Sequence, residues 1–91
     1  MIRQQLLVIN RLGLHARAAA KLVRLVCKFS SEVHFSRENQ NQHINARSIL
    51  GILMMAASQG TRLIATIDGS DEVELGEAIR ELFENRFGEE S

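Results

Sequence analysis

Residues 32–46 read EVHFSRENQNQHINA, and their pattern decides what kind of sheet the chain builds. In EVHFS, Val33 and Phe35 alternate with polar neighbours; in QHINA, Ile44 and Ala46 do the same. The polar ENQN between them predicts a β-hairpin, which makes this pair antiparallel. Upstream, IRQQLLVI (2–9) reads as a first strand with either Leu6 and Val8 or Leu7 and Ile9 inward, since alternation alone does not choose. Residues 16–28 have helical spacing, with Ala19, Leu22, Val23 and Val26 on one side and Arg17, Lys21, Arg24 and Lys28 on the other. Downstream, ARSILGILMMAA (46–57) is apolar almost all round and is headed by Ser48 or Asn45 as cap. It predicts a short buried helix, with Gly60 closing the segment. TRLIATID (61–68) is a fourth strand with Leu63, Ala65 and Ile67 on one face. GSDEVE then opens a last helix, capped by Ser70 or Asp71, with a core stripe of Leu75, Ala78, Ile79, Leu82 and Phe83 and a stop at Gly88. The order β-α-β-β-α-β-α predicts an α+β sandwich, one four-stranded antiparallel sheet covered on one face by three helices.

The bulk properties agree with one domain over residues 1–91. A chain of 91 residues with 45% hydrophobic and 24% charged residues suits one modest core and argues against disorder. No apolar run reaches the roughly 18–20 residues of a membrane span, and MIRQQLLVIN lacks the pattern of a signal peptide. The single Cys27 forms no internal disulfide, which fits a reducing cytoplasm. The zero net charge is unevenly laid out. Residues 1–62 hold nine Lys/Arg against two Glu, whereas residues 63–91 hold two Arg against nine acids. Such a dipolar chain can steer a partner by one end; the plainer reading is that its halves attract each other.

The histidine in LGLHARAAA (12–20) stands where the loop meets the first helix. The first N–H groups of a helix have no internal acceptor, and the dipole adds roughly half a positive charge there. That place suits an anion. A neutral imidazole is favoured beside it, and the neutral ring is the nucleophile. A phosphoryl group on His15 would meet the backbone N–H groups of Ala16 and Arg17, and the Arg17 guanidinium suits phosphate oxygens. The residues therefore describe a site for a phosphoryl group held covalently and given up again. They equally describe a histidine that caps its helix.

Other chemistry has less support. Twelve helical residues put Cys27 about 18 Å from His15, too far for a dyad, and Cys27 reads as a small buried apolar residue. His34 and His43 facing each other across the hairpin would lack a third ligand, so no metal is expected. No glycine-rich nucleotide loop occurs, and four phenylalanines, two of them in the acidic helix, offer no stacking platform for nucleic acid. Met54 and Met55 read as core or as the edge of a partner patch. No cofactor is implied.

NRLGLHARAAAKLV (10–23) resembles the active-site segment of the HPr family, the histidine phosphocarriers of the bacterial phosphoenolpyruvate-dependent phosphotransferase system. INARSILGILMMAASQGTRL (44–63) resembles that family's second signature, a serine-headed short helix followed by a glycine turn. The likeness spans essentially the whole chain. It implies an open-faced β-sandwich and a cytoplasmic monomer that takes a phosphoryl group from enzyme I on His15 Nδ1, assisted by Arg17, and passes it to a IIA-type protein. It also implies a regulatory phosphorylation site at Ser48, served by an HPr kinase/phosphorylase, and an apolar docking patch at Ile49, Leu50 and Leu53. The basic face of Lys21, Arg24 and Lys28 would meet acidic surface on the donor. The implied protein is a carrier and not an enzyme, with neither membrane insertion nor nucleic-acid partner.

One departure concerns Ala18, where the family usually has proline, leaving the first helical turn to propensity. HARAAAK and the ending ENRFGEE look most like the nitrogen-related branch, NPr. A second functional class stays open: a regulatory module whose phosphorylation at His15 or Ser48 alters its affinity for a target, without obligatory onward transfer.

Overall fold

The computed structural model describes residues 1–38 and 40–91. The elements follow the expected order: β1 (Ile2–Leu7), α1 (Ala16–Val26), β2 (Glu32–Arg37), β3 (Ile44–Asn45), α2 (Ile49–Met54), β4 (Arg62–Asp68), α3 (Glu72–Glu84) and a last turn at Arg86–Gly88. The strands form one sheet in the order β1-β4-β2-β3, each neighbouring pair antiparallel. The helices lie over one face, so the fold is the expected α+β sandwich.

Register chooses what alternation in LLVI could not. Leu6 lies opposite Leu63, whose strand turns Leu63, Ala65 and Ile67 into the core. Leu6 and Val8 therefore face inward and Leu7 is left 45% exposed. On the other side of β4, Val33 pairs with Ile67 and Phe35 with Ala65, which completes the apolar floor. Ala18, Ala19, Leu22 and Val26 of α1 and Leu75, Ile79 and Phe83 of α3 close it from above. Ala78 and Leu82 are half-buried at the margin of that stripe. Gln4 shares the inner face and its Nε2 donates to the Gly76 carbonyl of α3 at 3.0 Å, a polar tie between sheet and helix.

Four expectations over residues 27–57 change. The segment over 46–57 is not a buried helix: α2 is six residues long and only Ile52 is buried, with Ile49, Leu50 and Met54 exposed. A two-layer fold has core on one side of a helix only, so an all-round apolar helix must show the rest to solvent. Cys27 is exposed, because it follows Val26, the last core residue of α1, as that helix's C-cap. The third strand is confined to Ile44–Asn45, and Asn39 of the expected turn lies outside the described residues. His34 pairs with Asn45, so it does not face His43.

Asp71 occupies the N-cap position of α3 yet makes no capping bond. Its carboxylate accepts the backbone N–H groups of Ser30 and Ser31, each at 2.9 Å, and both hydroxyls. These donors, led by the Ser31 hydroxyl and the Ser30 N–H, lower its pKa from the ordinary 3.8 to about 2. The bridge ties the turn after α1 to the start of α3.

Candidate functional site

The site is assembled from three separate stretches: the loop between β1 and α1, the first turn of α1, and the chain end. Asn10 is fully buried and forms a turn with Gly13, whose N–H donates to the Asn10 carbonyl at 3.2 Å. Gly13 has φ +67, and a Cβ there would strike the Ala57 carbonyl oxygen. A side chain is thus excluded both by conformation and by space. Leu14, buried, donates its N–H to that same carbonyl at 2.9 Å, which pins the loop to the segment after α2.

His15 follows as the N-cap of α1, with extended backbone at φ −77 and ψ 180. Its carbonyl accepts the Ala19 N–H at 2.8 Å, the first bond of the helix. Its Nδ1 accepts the Arg17 N–H at 3.3 Å. The ring therefore caps the helix through the nitrogen that faces the free N–H groups. The two sequence alternatives describe one arrangement, since the acceptor position is also where an anion would sit. Ala18 is fully buried against the core, and α1 starts at Ala16 without a proline. Burial and the histidine cap organise the turn that proline would otherwise preset.

The other ring nitrogen has a partner that sequence reasoning missed. His15 Nε2 is hydrogen-bonded to the Glu89 carboxylate, and both side chains are largely covered. The Asn10 Nδ2 donates to Glu89 at 3.0 Å and to the Gly13 carbonyl at 2.8 Å. Because both groups facing that nitrogen are acceptors, the orientation of the amide is determined. The Asn10 bond first, then the His15 bond, hold the Glu89 carboxyl below its ordinary value against desolvation, with the charges of His15 and Arg17 adding to the effect.

Glu89 reaches the ring because the chain reverses after α3. Arg86, Phe87 and Gly88 have φ of 55, 55 and 80. The left-handed region costs a non-glycine residue roughly 1–2 kcal/mol, so something must hold the reversal. Phe87 is 1% exposed, its ring 4.9 Å from that of Phe83. Lys21 Nζ donates to the Phe87 carbonyl at 2.6 Å, and the Arg11 N–H donates to the Ser91 carbonyl at 2.9 Å. Phe87, expected within the last helix, lies beyond its end at Glu84; the signal in the sequence is only an apolar residue near the chain end followed by carboxylates.

The remaining site candidates fall on two surfaces. Arg17, Arg24 and Lys28 are exposed and, among the described residues, none is in an ion pair with a carboxylate. Lys21 belongs to the same face but is half-buried and engaged with the tail. Ser48 is the N-cap of α2, its Oγ accepting the Gly51 N–H at 3.0 Å. Ile49 and Leu50 beside it are 42% and 68% exposed, while Leu53 is half-buried against the core. Met54 extends the exposed patch. No group of three His, Cys, Asp or Glu side chains among the described residues is placed to hold a metal, and no helix there is long and apolar enough to cross a membrane.

The family model described as "PTS HPr component phosphorylation site" matches residues 2–85. A phosphocarrier protein HPr of Xylella fastidiosa is 48% identical over 91 residues, all of both chains. One from Cupriavidus necator is 44% identical over 89 residues, 98% of each. The crystal structure of an HPr from Thermoanaerobacter tengcongensis superposes with a TM-score of 0.92 at 38% identity, covering 100% of both chains.

Proposed function

The chain belongs to the HPr family of the phosphotransferase system, phosphocarriers and not enzymes, and from that premise we propose that His15 is the residue that carries the phosphoryl group. One observation supports this above the others: Nδ1 lies at the N-terminus of α1, 3.3 Å from the Arg17 N–H. In the proposed step the Nδ1 lone pair attacks the phosphorus of phosphorylated enzyme I. The Nδ1–P bond forms as the donor's bond to phosphorus breaks, its electron pair returning to the donor. The Arg17 N–H and that of Ala16 then receive phosphoryl oxygens, and the exposed Arg17 guanidinium supports their charge. Reversal toward a IIA-type protein returns the electron pair to Nδ1. Neither direction calls for an acid–base pair in this chain.

Arg24 and Lys28 are proposed to meet acidic surface on the donor, with Lys21 behind them, and Ile49 and Leu50 to supply the apolar contact, with Leu53 supporting them from the core side. Ser48 is proposed as a second, regulatory phosphorylation site for an HPr kinase/phosphorylase, since its hydroxyl caps α2 within that patch. Residues 1–91 are proposed to act as one carrier unit, monomeric and cytoplasmic. The ending ENRFGEE supports the nitrogen-related branch.

The test is incubation with enzyme I and labelled phosphoenolpyruvate, then with a IIA protein. One acid-labile, alkali-stable label is expected, absent from His15→Ala, slowed in Arg17→Ala and chased to the IIA protein. Stoichiometric labelling of His15→Ala would overturn the assignment of His15. Label retained in the presence of every IIA protein would favour the regulatory module.

A further inference from the structure

Glu89 stands 74 residues from His15 in the chain and beyond the stretch that the family model matches, yet it holds the one ring nitrogen that the proposed transfer does not use. The two bonds of the ring are informative together. Nδ1 accepts the Arg17 N–H, so a neutral ring carries its proton on Nε2, and Nε2 then donates to the carboxylate. Both bonds demand the same tautomer. We propose that Glu89 is a positioning residue for His15: it keeps the ring in the Nε2–H tautomer, with the Nδ1 lone pair at the helix N-terminus, and stays as counter-charge while Nδ1 bears a phosphoryl group. The proposal rests on the phosphocarrier reading of His15.

The geometry explains why Glu89 would stay in place during transfer. The carboxylate approaches from the tail side, through Nε2, and is itself clamped by Asn10 Nδ2 at 3.0 Å. The bond on Nδ1 lies on the exposed side, so a donor can reach that nitrogen without displacing the tail. When Nδ1 bonds phosphorus, the ring retains its Nε2 proton and becomes cationic. The carboxylate beside it balances that charge, and no proton leaves or enters. When the Nδ1–P bond breaks, the pair returns to Nδ1 and the starting tautomer is restored. The charged groups acting on the Glu89 carboxylate are His15 itself and Arg17 of α1; Lys21 is turned to the Phe87 carbonyl.

The test compares wild type, Glu89→Ala and Glu89→Gln. Ring 15N resonances of the unphosphorylated proteins in alkaline buffer report the tautomer without any donor. Wild type should show the Nε2–H form alone and Glu89→Ala a mixture, while Glu89→Gln, which has one amide oxygen for the two donors Asn10 Nδ2 and His15 Nε2–H, should fall between them. Phosphoryl acceptance from enzyme I should fall on the order of tenfold in Glu89→Ala. In Glu89→Gln it should recover in part, since one acceptor returns without charge. Identical tautomers in all three proteins, or unchanged acceptance in Glu89→Ala, would overturn the proposal. Faster acceptance would also overturn it, making the tail a cover over the site. Failure of wild type to accept label would remove the carrier reading and with it the counter-charge role, while the tautomer result would stand or fall separately.

Discussion

Truncating Phe87 to alanine measures how firmly the tail is held and whether the site depends on it. The side chain is 1% exposed and its ring lies 4.9 Å from that of Phe83 at a 58° tilt, so a rigid core would lose roughly 3–5 kcal/mol. Two residues of the reversal, Arg86 and Phe87 itself, have φ of 55, which stores roughly 1–2 kcal/mol each while the tail is docked. Once Phe87 is truncated the tail can release, relieving that strain and losing the Lys21 and Arg11 bonds. The loss is then limited to the net hold of the tail, about 1–3 kcal/mol, or about 5–20 °C in Tm for a domain of this size. Urea unfolding gives the stability. Amide exchange at Arg11, whose N–H bonds the Ser91 carbonyl, reports release of the tail. Unfolding should remain cooperative while Arg11 loses protection and phosphoryl acceptance slows as in Glu89→Ala. A loss under about 0.5 kcal/mol would mean that Phe87 does not anchor the tail. A loss above about 4 kcal/mol with Arg11 still protected would mean that the tail is an inseparable part of the core.

Three further outcomes are expected. The folded-state pKa of Asp71 lies at about 2 against an ordinary 3.8, so its contribution to stability is present above the ordinary value and lost as pH falls through about 2; acid titration of Tm should show this component in wild type and not in Asp71→Asn. Ser48→Asp keeps an acceptor at the N-cap of α2 and places charge at the favourable end of the helix, so it should melt within about 1 kcal/mol of wild type, yet accept phosphoryl more slowly because the charge sits beside exposed Ile49 and Leu50; normal transfer would put that turn outside the docking surface. Arg24→Glu with Lys28→Glu should lower the association rate with enzyme I and its salt dependence at unchanged Tm, whereas Lys21→Glu should also loosen the tail through the lost Phe87 bond; a salt-independent wild-type rate would point to a purely apolar interface.

The difference between Lys21 and its neighbours shows what periodicity can and cannot report. Spacing puts Arg17, Lys21, Arg24 and Lys28 on one side of α1, and it finds the buried stripe of Leu22 and Val26 on the other. It does not know that the chain end returns past Lys21. The strands were legible for a similar reason: Val33 with Phe35, and Leu63 with Ala65 and Ile67, alternate cleanly and are buried as the pattern requires. LLVI was not, because apolar residues fill both parities and only pairing with β4 selects Leu6 and Val8. Hydrophobicity over 46–57 predicts a burial that α2 does not have, because it reports a preference for core and not whether core is there to receive it. On a six-residue helix over one layer of sheet, the apolar excess is surface.

The site divides along the same line. Its half contributed by residues 10–17 is local chemistry: a glycine that alone fits against Ala57, a cap residue, and the first N–H groups of a helix. Each follows from neighbours in sequence, and together they predict an anion site. A helix N-terminus, however, orients whatever approaches it only through N–H groups on one side, and an imidazole tethered by a single bond there can still rotate. Restraint from the opposite side comes from Glu89, whose position depends on left-handed backbone at Arg86 and Phe87. Local propensity opposes that conformation at both residues, so no reading of local preference would place Glu89 on the ring. It is reached only because burying one phenylalanine outweighs the strain of two residues, and that balance is visible only once Phe83, at the end of α3, is known to face the same core.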